Sequence, residues 1–135
     1  MWRRLAFSAL VASCPTLGAG QDSWPEGAET KLYLVRDGKV DARTYNGFRR
    51  YHAGCNHCHG PDGIGSTFAP SLVAPLAQAE PFRRIVLEGS VRGTSVMPGY
   101  AEDPNFAPHV DEIYAYLQAR ADGKLGRGRP ARLAE

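Results

Sequence analysis

A chain of 135 residues, 43% hydrophobic and 22% charged, has room for one domain. Its 15 Gly and 10 Pro interrupt the apolar runs, so it builds only a modest core by itself, and a large buried cofactor would help considerably. Sixteen basic residues stand against 14 acidic ones, and without the first 20 residues the balance is 14 against 14, which argues against a basic nucleic-acid-binding surface.

Residues 1–20 have the arrangement of an export signal. Arg3 and Arg4 form a charged start, Leu5 to Ala12 an apolar run, and Leu17, Gly18, Ala19 and Gly20 offer small residues for cleavage. The apolar run is too short to span a bilayer. Cleavage near Ala19 or Gly20 discards Cys14 and leaves a periplasmic protein. The alternative uses "VASC", Val11 to Cys14, as a lipobox, in which case Cys14 is lipidated and the protein is a membrane-anchored lipoprotein; Pro15 is an awkward start for that.

Residues 21–40 read as an N-terminal extension. In "KLYLVRDGKV", Asp37 and Gly38 stand between two β-prone arms, the pattern of a short hairpin. The domain proper spans 41–123. In "DARTYNGFRRYHAGC", Tyr45, Phe48, Tyr51 and Cys55 line one face of a helix. "GPDGIGSTFAPSL" is too rich in Gly and Pro for a regular element and is expected to be a loop. A second helix is expected within "AEPFRRIVLEG", with Pro81 in its first turn and Gly89 as its stop, followed by an irregular "SVRGTSVMPGY". The third helix lies in "HVDEIYAYLQARADG", where Val110, Ile113, Tyr116 or Leu117, and Arg120 recur at helical spacing before Gly123. Residues 124–135, with four basic residues and Glu135, read as a solvated, flexible basic tail; the globular part then holds ten basic residues against thirteen acidic ones. The sum is a small helical protein with two long loops, and such loops usually wrap a ligand when they are not disordered.

Cys55, Asn56, His57, Cys58 and His59 spell CxxCH, the attachment pattern of c-type haem. Two thiols three residues apart on one turn can add to the two vinyl groups on a porphyrin edge, which holds the adjacent histidine beneath the iron as proximal ligand. Zinc is a rival, but a closed site takes four protein ligands and no other cysteine survives signal cleavage, leaving only His52, His57 and His109 to conscript. A thioredoxin-like pair expects a βαβ pattern, which is not visible. For the sixth iron ligand, Met97 is the one methionine left once Met1 departs, and Gly93, Pro98 and Gly99 place it in a loop. His109 or His52 is the second choice, and an open distal position the third. A thioether favours ferrous iron, and two filled axial positions leave a site that moves single electrons.

From Tyr45 to Ala121 these residues resemble the class I c-type cytochromes. The resemblance implies an all-α fold of three to four helices wrapped around one covalent haem c, with Gly47 and Phe48 meeting Tyr116 and Leu117 where the first and last helices cross. It also implies that the Pro70 carbonyl accepts the Nδ1 hydrogen of His59 and that Leu72 packs on the haem. The stretch "YNGFRRYHAGCNHCHGPDGIGSTFAPSL" is similar to periplasmic cytochromes of methanol metabolism, which accept electrons from alcohol dehydrogenases carrying pyrroloquinoline quinone. That likeness implies a monomeric, non-catalytic one-electron carrier, with such a quinoprotein upstream and an oxidase or another cytochrome downstream. The alternative is a haem-based sensor or small peroxidase with an open distal site. Arg83, Arg92 and Tyr100 are candidates to reach a haem propionate; His52 and His57 are expected to face solvent or pack near the haem edge.

Overall fold

The computed structural model describes residues 30–134. The expected export signal, Cys14 and the start of the N-terminal extension lie outside the described residues.

Val35–Arg36 (β1) and Lys39–Val40 (β2) form an antiparallel hairpin. Its turn residues Asp37 and Gly38 both take positive φ, 50° and 72°, as a two-residue turn of this kind requires. Asp41 then caps the first helix by accepting from the Thr44 amide at 3.4 Å.

The helix Ala42–Arg50 (α1) runs directly into a π-helical turn, Tyr51–Cys55, and then into Asn56–His59 (α2). The Asn56 amide bonds the Tyr51 carbonyl five residues back. Periodicity indicates the helix as far as Cys55 but not this wider turn, which shifts the phase of everything after it and sits directly before the CxxCH residues. A short 3-10 turn, Pro61–Gly63, and a loop lead to Ala79–Glu88 (α3), which ends at Gly89 as expected.

The stretch expected to be irregular instead makes a second antiparallel hairpin, Ser90–Arg92 (β3) with Ser95–Met97 (β4). Its arms are only three residues each, too short to show an alternation in sequence. A 3-10 turn, Ala107–His109, opens onto Val110–Ala121 (α4). The amphipathic period expected for α4 understates it, because Val110 and every residue from Ile113 to Ala119 are buried. The helix is covered on several sides. One cover is the N-terminal segment, whose Leu32 amide donates to Gln118 Oε1 at 2.9 Å.

At the α1–α4 crossing, Phe48 meets Tyr116 edge-on, with centroids 5.6 Å apart. At Gly47 the nearest approach is to Glu112 and Ile113 rather than to Tyr116 or Leu117. A Cβ there would fall 1.8 Å from the Glu112 carbonyl oxygen, so the close approach is backbone on backbone, about one turn earlier along α4.

The C-terminal segment also differs from the expected flexible tail. Ala131–Arg132 (β5) pairs in parallel with β2, and the Leu133 amide reaches the Val40 carbonyl at 2.8 Å. Leu125 joins the core, and Arg129 donates to the Tyr45 hydroxyl at 2.9 Å. Low apolar periodicity hid this, because the segment is held by polar partners far away in the chain.

Candidate haem-attachment site

The C-terminal end of the α1–α2 run presents Cys55 half-buried and Cys58 exposed, both as free thiols. Burial is the main cause that pushes the Cys55 thiol up to about 11; neighbouring Cys58 adds to it, against a backbone hydrogen bond that lowers it. Cys55 is therefore not the thiolate that a reactive dithiol uses to attack. The zinc reading fails on geometry, since among the described residues no group of three or more His, Cys, Asp and Glu could hold a metal ion.

His59 is 7% exposed, and its Nδ1 lies 2.8 Å from the Pro70 carbonyl oxygen. A carbonyl only accepts, so Nδ1 carries the hydrogen and, in the neutral ring, Nε2 keeps its lone pair free for a metal. His52 is spent differently. Its Nδ1 lies 3.0 Å from the Phe48 carbonyl and its Nε2 accepts from the Asp62 amide at 3.4 Å, so both ring nitrogens have partners. His109 Nδ1 is 2.8 Å from Glu112 Oε2, while His57 is exposed.

Pro70 lies in the loop after the motif, whose shape is set by side chain-to-backbone bonds. Ser66 Oγ donates to the Cys58 carbonyl and accepts from the Phe68 amide, and Ser71 Oγ donates to the Gly63 carbonyl at 3.1 Å while accepting from the Val73 and Ala74 amides. Leu72 packs half-buried against the core, as do Cys55, Met97, Tyr100 and Phe106. Met97 closes β4, and the register pairs it with Ser90. Period two then puts Arg92 and Ser95 on the Met97 side of the hairpin and Val91 and Val96 on the other, where they are 71% and 70% exposed.

The three candidates for a propionate separate. Arg83 is taken by Asp111, with Nη2 to Oδ1 at 2.5 Å, and by Glu80. Tyr100 stacks on Phe106 at 4.9 Å, and its hydroxyl pKa is raised by burial first and then by the nearby Cys55 and Cys58. Arg92 is exposed on the hairpin.

Sequence reasoning missed Asp62 and the hydrogen bonds that Tyr51 and Tyr116 make around it. Tyr51 donates to the Gly60 carbonyl at 2.5 Å and Tyr116 to Asp62 Oδ1 at 3.1 Å. The signal for Asp62 was a bare Asp-Gly, which indicates a turn but not a buried carboxylate.

The donor set fits a covalent haem. Two free thiols stand on one helical turn, a buried imidazole has its metal-binding nitrogen free, and the Met97 thioether packs half-buried against the same apolar core as Cys55.

No protein-family model matches the chain. It is 38% identical over 130 residues to cytochrome c-553I of Paracoccus denitrificans, a match that takes in 84% of this chain and only 57% of that relative's length. It is 35% identical over 92 residues to cytochrome c-555 of Methylococcus capsulatus, covering 66% of this chain and 72% of the relative. Among solved structures it resembles the c-type cytochrome XoxG from Methylobacterium extorquens AM1, with a TM-score of 0.70, 38% identity, and coverage of 80% of this chain and 76% of that one. With one CxxCH motif, a helical frame and these relatives, the chain belongs to the class I c-type cytochromes, electron-transfer proteins rather than enzymes, which carry covalent haem c.

Proposed function

We propose that the protein is a periplasmic monohaem electron carrier, with haem joined through Cys55 and Cys58 and iron held between His59 and Met97. In this reading it takes electrons from an alcohol dehydrogenase carrying pyrroloquinoline quinone, in methanol or related alcohol oxidation, and passes them toward a terminal oxidase or another cytochrome. The observation that carries the ligand assignment is the Nδ1 bond of His59 to Pro70, which leaves Nε2 free, while both nitrogens of His52 are spent.

When bound, the haem supplies a one-electron ferric/ferrous couple. The chain's own residues set its conditions. Pro70 fixes the His59 ring and raises its basicity, and Met97 offers a soft donor that raises the reduction potential relative to a second histidine. With both the His59 imidazole and the Met97 thioether bound to it, the iron would have no position left for peroxide or dioxygen. Likeness to cytochrome c-555 of Methylococcus capsulatus and to XoxG of Methylobacterium extorquens supports the pathway. The N-terminal export pattern supports the compartment, and no helix among the described residues is long and apolar enough to cross a membrane.

Two measurements test this. The ferric protein is expected to show the weak red absorption band of thioether-to-iron charge transfer, and the ferrous protein to resist carbon monoxide at neutral pH; a missing band with ready carbon monoxide binding favours the sensor or peroxidase reading. Stopped-flow mixing with a reduced quinoprotein alcohol dehydrogenase is expected to reduce the haem at a rate that falls with ionic strength where charge steers encounter. Reduction no faster than by an unrelated dehydrogenase removes the assigned donor.

A further inference from the structure

Asp62, three residues past His59, is a carboxylate only 6% exposed and bound from several elements at once. The Tyr116 hydroxyl and the Gly128 amide donate to Oδ1 at 3.1 and 3.2 Å, and Arg127 Nε donates to Oδ2 at 3.3 Å. Arg120 Nε donates to the Asp62 carbonyl at 3.4 Å, and His52 Nε2 faces Oδ1 at 3.6 Å. The residue sits at φ 57°, a conformation that a non-glycine residue keeps only where its surroundings hold it. Its partners come from α4, from the π-helical turn after α1, and from the C-terminal segment that was expected to be free.

From Asp62 a continuous set of contacts leads to the imidazole. The next carbonyl, of Gly63, accepts from the Leu72 amide at 2.9 Å and from Ser71 Oγ at 3.1 Å. Those residues directly follow Pro70, whose carbonyl accepts from His59 Nδ1. On the other side of the same turn the Gly65 amide reaches the His59 carbonyl at 2.8 Å. The turn at 60–63 is thus anchored by the far end of the chain and in turn anchors the carbonyl that orients His59.

We propose that Asp62, clamped by Arg127 and Gly128, is a positioning residue for His59, and that the C-terminal segment thereby tunes the reduction potential of the haem that His59 would hold. This rests on the reading of His59 as iron ligand. At Arg127 two effects oppose each other, which makes the role testable. Loosening the Nδ1–H···O bond makes the imidazole a weaker donor and raises the potential, whichever partner is removed. A bare charge effect gives opposite signs in the two variants, because a nearby cation favours the reduced, less positive haem and a nearby anion the oxidised one: removing Arg127 lowers the potential and removing Asp62 raises it.

The test compares the holoprotein with Arg127→Ala, Asp62→Gly and Arg127→Lys. Arg127 is 61% exposed, so its truncation leaves the core intact, and glycine keeps the positive φ at 62 accessible. Exchange of the His59 Nδ1 hydrogen, followed by ¹⁵N NMR on ferrous protein, is expected to be about tenfold faster in the first two variants. Both are expected to show a raised potential, and Arg127→Lys is expected to restore the parent values. Shifts of opposite sign, or exchange unchanged in both variants, overturn the proposal. The ligand reading is checked in the parent: His59 ring nitrogens without the large paramagnetic shift of an iron-bound imidazole in the ferric state would defeat that reading whatever the variants do.

Discussion

The loop that follows His59 and carries Pro70 and the hairpin that carries Met97 are held by different means. The loop is tied through side chains: Ser66, Ser71, Tyr51 and Asp62 all bond to backbone or to distant elements, and His59 is buried. The hairpin is tied to its neighbours by backbone hydrogen bonds, with Met97 packing half-buried against the core. It is two three-residue strands with exposed valines, joined to α3 through the Tyr100 and Ala101 amides on the Val86 and Leu87 carbonyls at 2.9 and 3.1 Å. Opening free energy follows the number of buried and bonded contacts a segment must give up, so the hairpin opens more readily than the loop. If iron is held from both, the imidazole side is the fixed one and the thioether side the one that lets go.

Substituting each ligand gives the largest effects. His59→Ala is expected to impair maturation or leave a misligated haem, whereas Met97→Ala keeps the haem attached, lowers the potential and admits carbon monoxide; equal loss of haem in both, measured by haem content against protein mass, breaks the contrast. Next comes Gly99→Ala. A Cβ there would sit 2.6 Å from the Leu87 carbonyl oxygen, so the hairpin must shift away from α3 at a cost of about 1–3 kcal/mol. Thermal unfolding measures that cost, and carbon monoxide binding should rise with it.

Acid acts on the loop side instead. Desolvation alone would raise the Asp62 pKa, but the Gly128 amide, Arg127, Tyr116 and Arg120 together outweigh it and hold the carboxyl below its ordinary value. A depressed folded pKa gives stability that is present above the unfolded pKa and lost as pH falls through the folded one. Chemical denaturation is therefore expected to show stability declining below the ordinary aspartate range, with a shallower decline in Asp62→Asn. The smallest effect is expected from Val91→Thr, on the outward side of the hairpin, within about 0.5 kcal/mol by denaturant unfolding. A larger loss there would mean that the exposed valines contribute to holding the hairpin, and the contrast would narrow.

Legibility in the sequence follows the reach of each interaction. The helices were readable because Tyr45, Phe48 and Tyr51, or Val110, Ile113 and Leu117, repeat within a few residues of one another. The Asp37–Gly38 turn was readable for the same reason. The β3–β4 hairpin was not, because a three-residue arm has no period to count. Gly47 was correctly expected at a helix crossing, yet its partner was misplaced by about one turn, since a glycine shows that backbones come close without saying which residue lies opposite.

The sequence by itself determined the chemistry of attachment: two thiols and an imidazole within five residues are placed by covalent connectivity and one turn of helix, and no distant partner is needed. Only the tertiary structure decided how that imidazole's surroundings are secured. Asp62 and Arg127 are 65 residues apart, and β5 finds β2 across almost the whole described chain. Neither carries a local pattern, because a buried carboxylate and a cation become partners only through the fold that brings them together, and nothing in the spacing of either residue records the other.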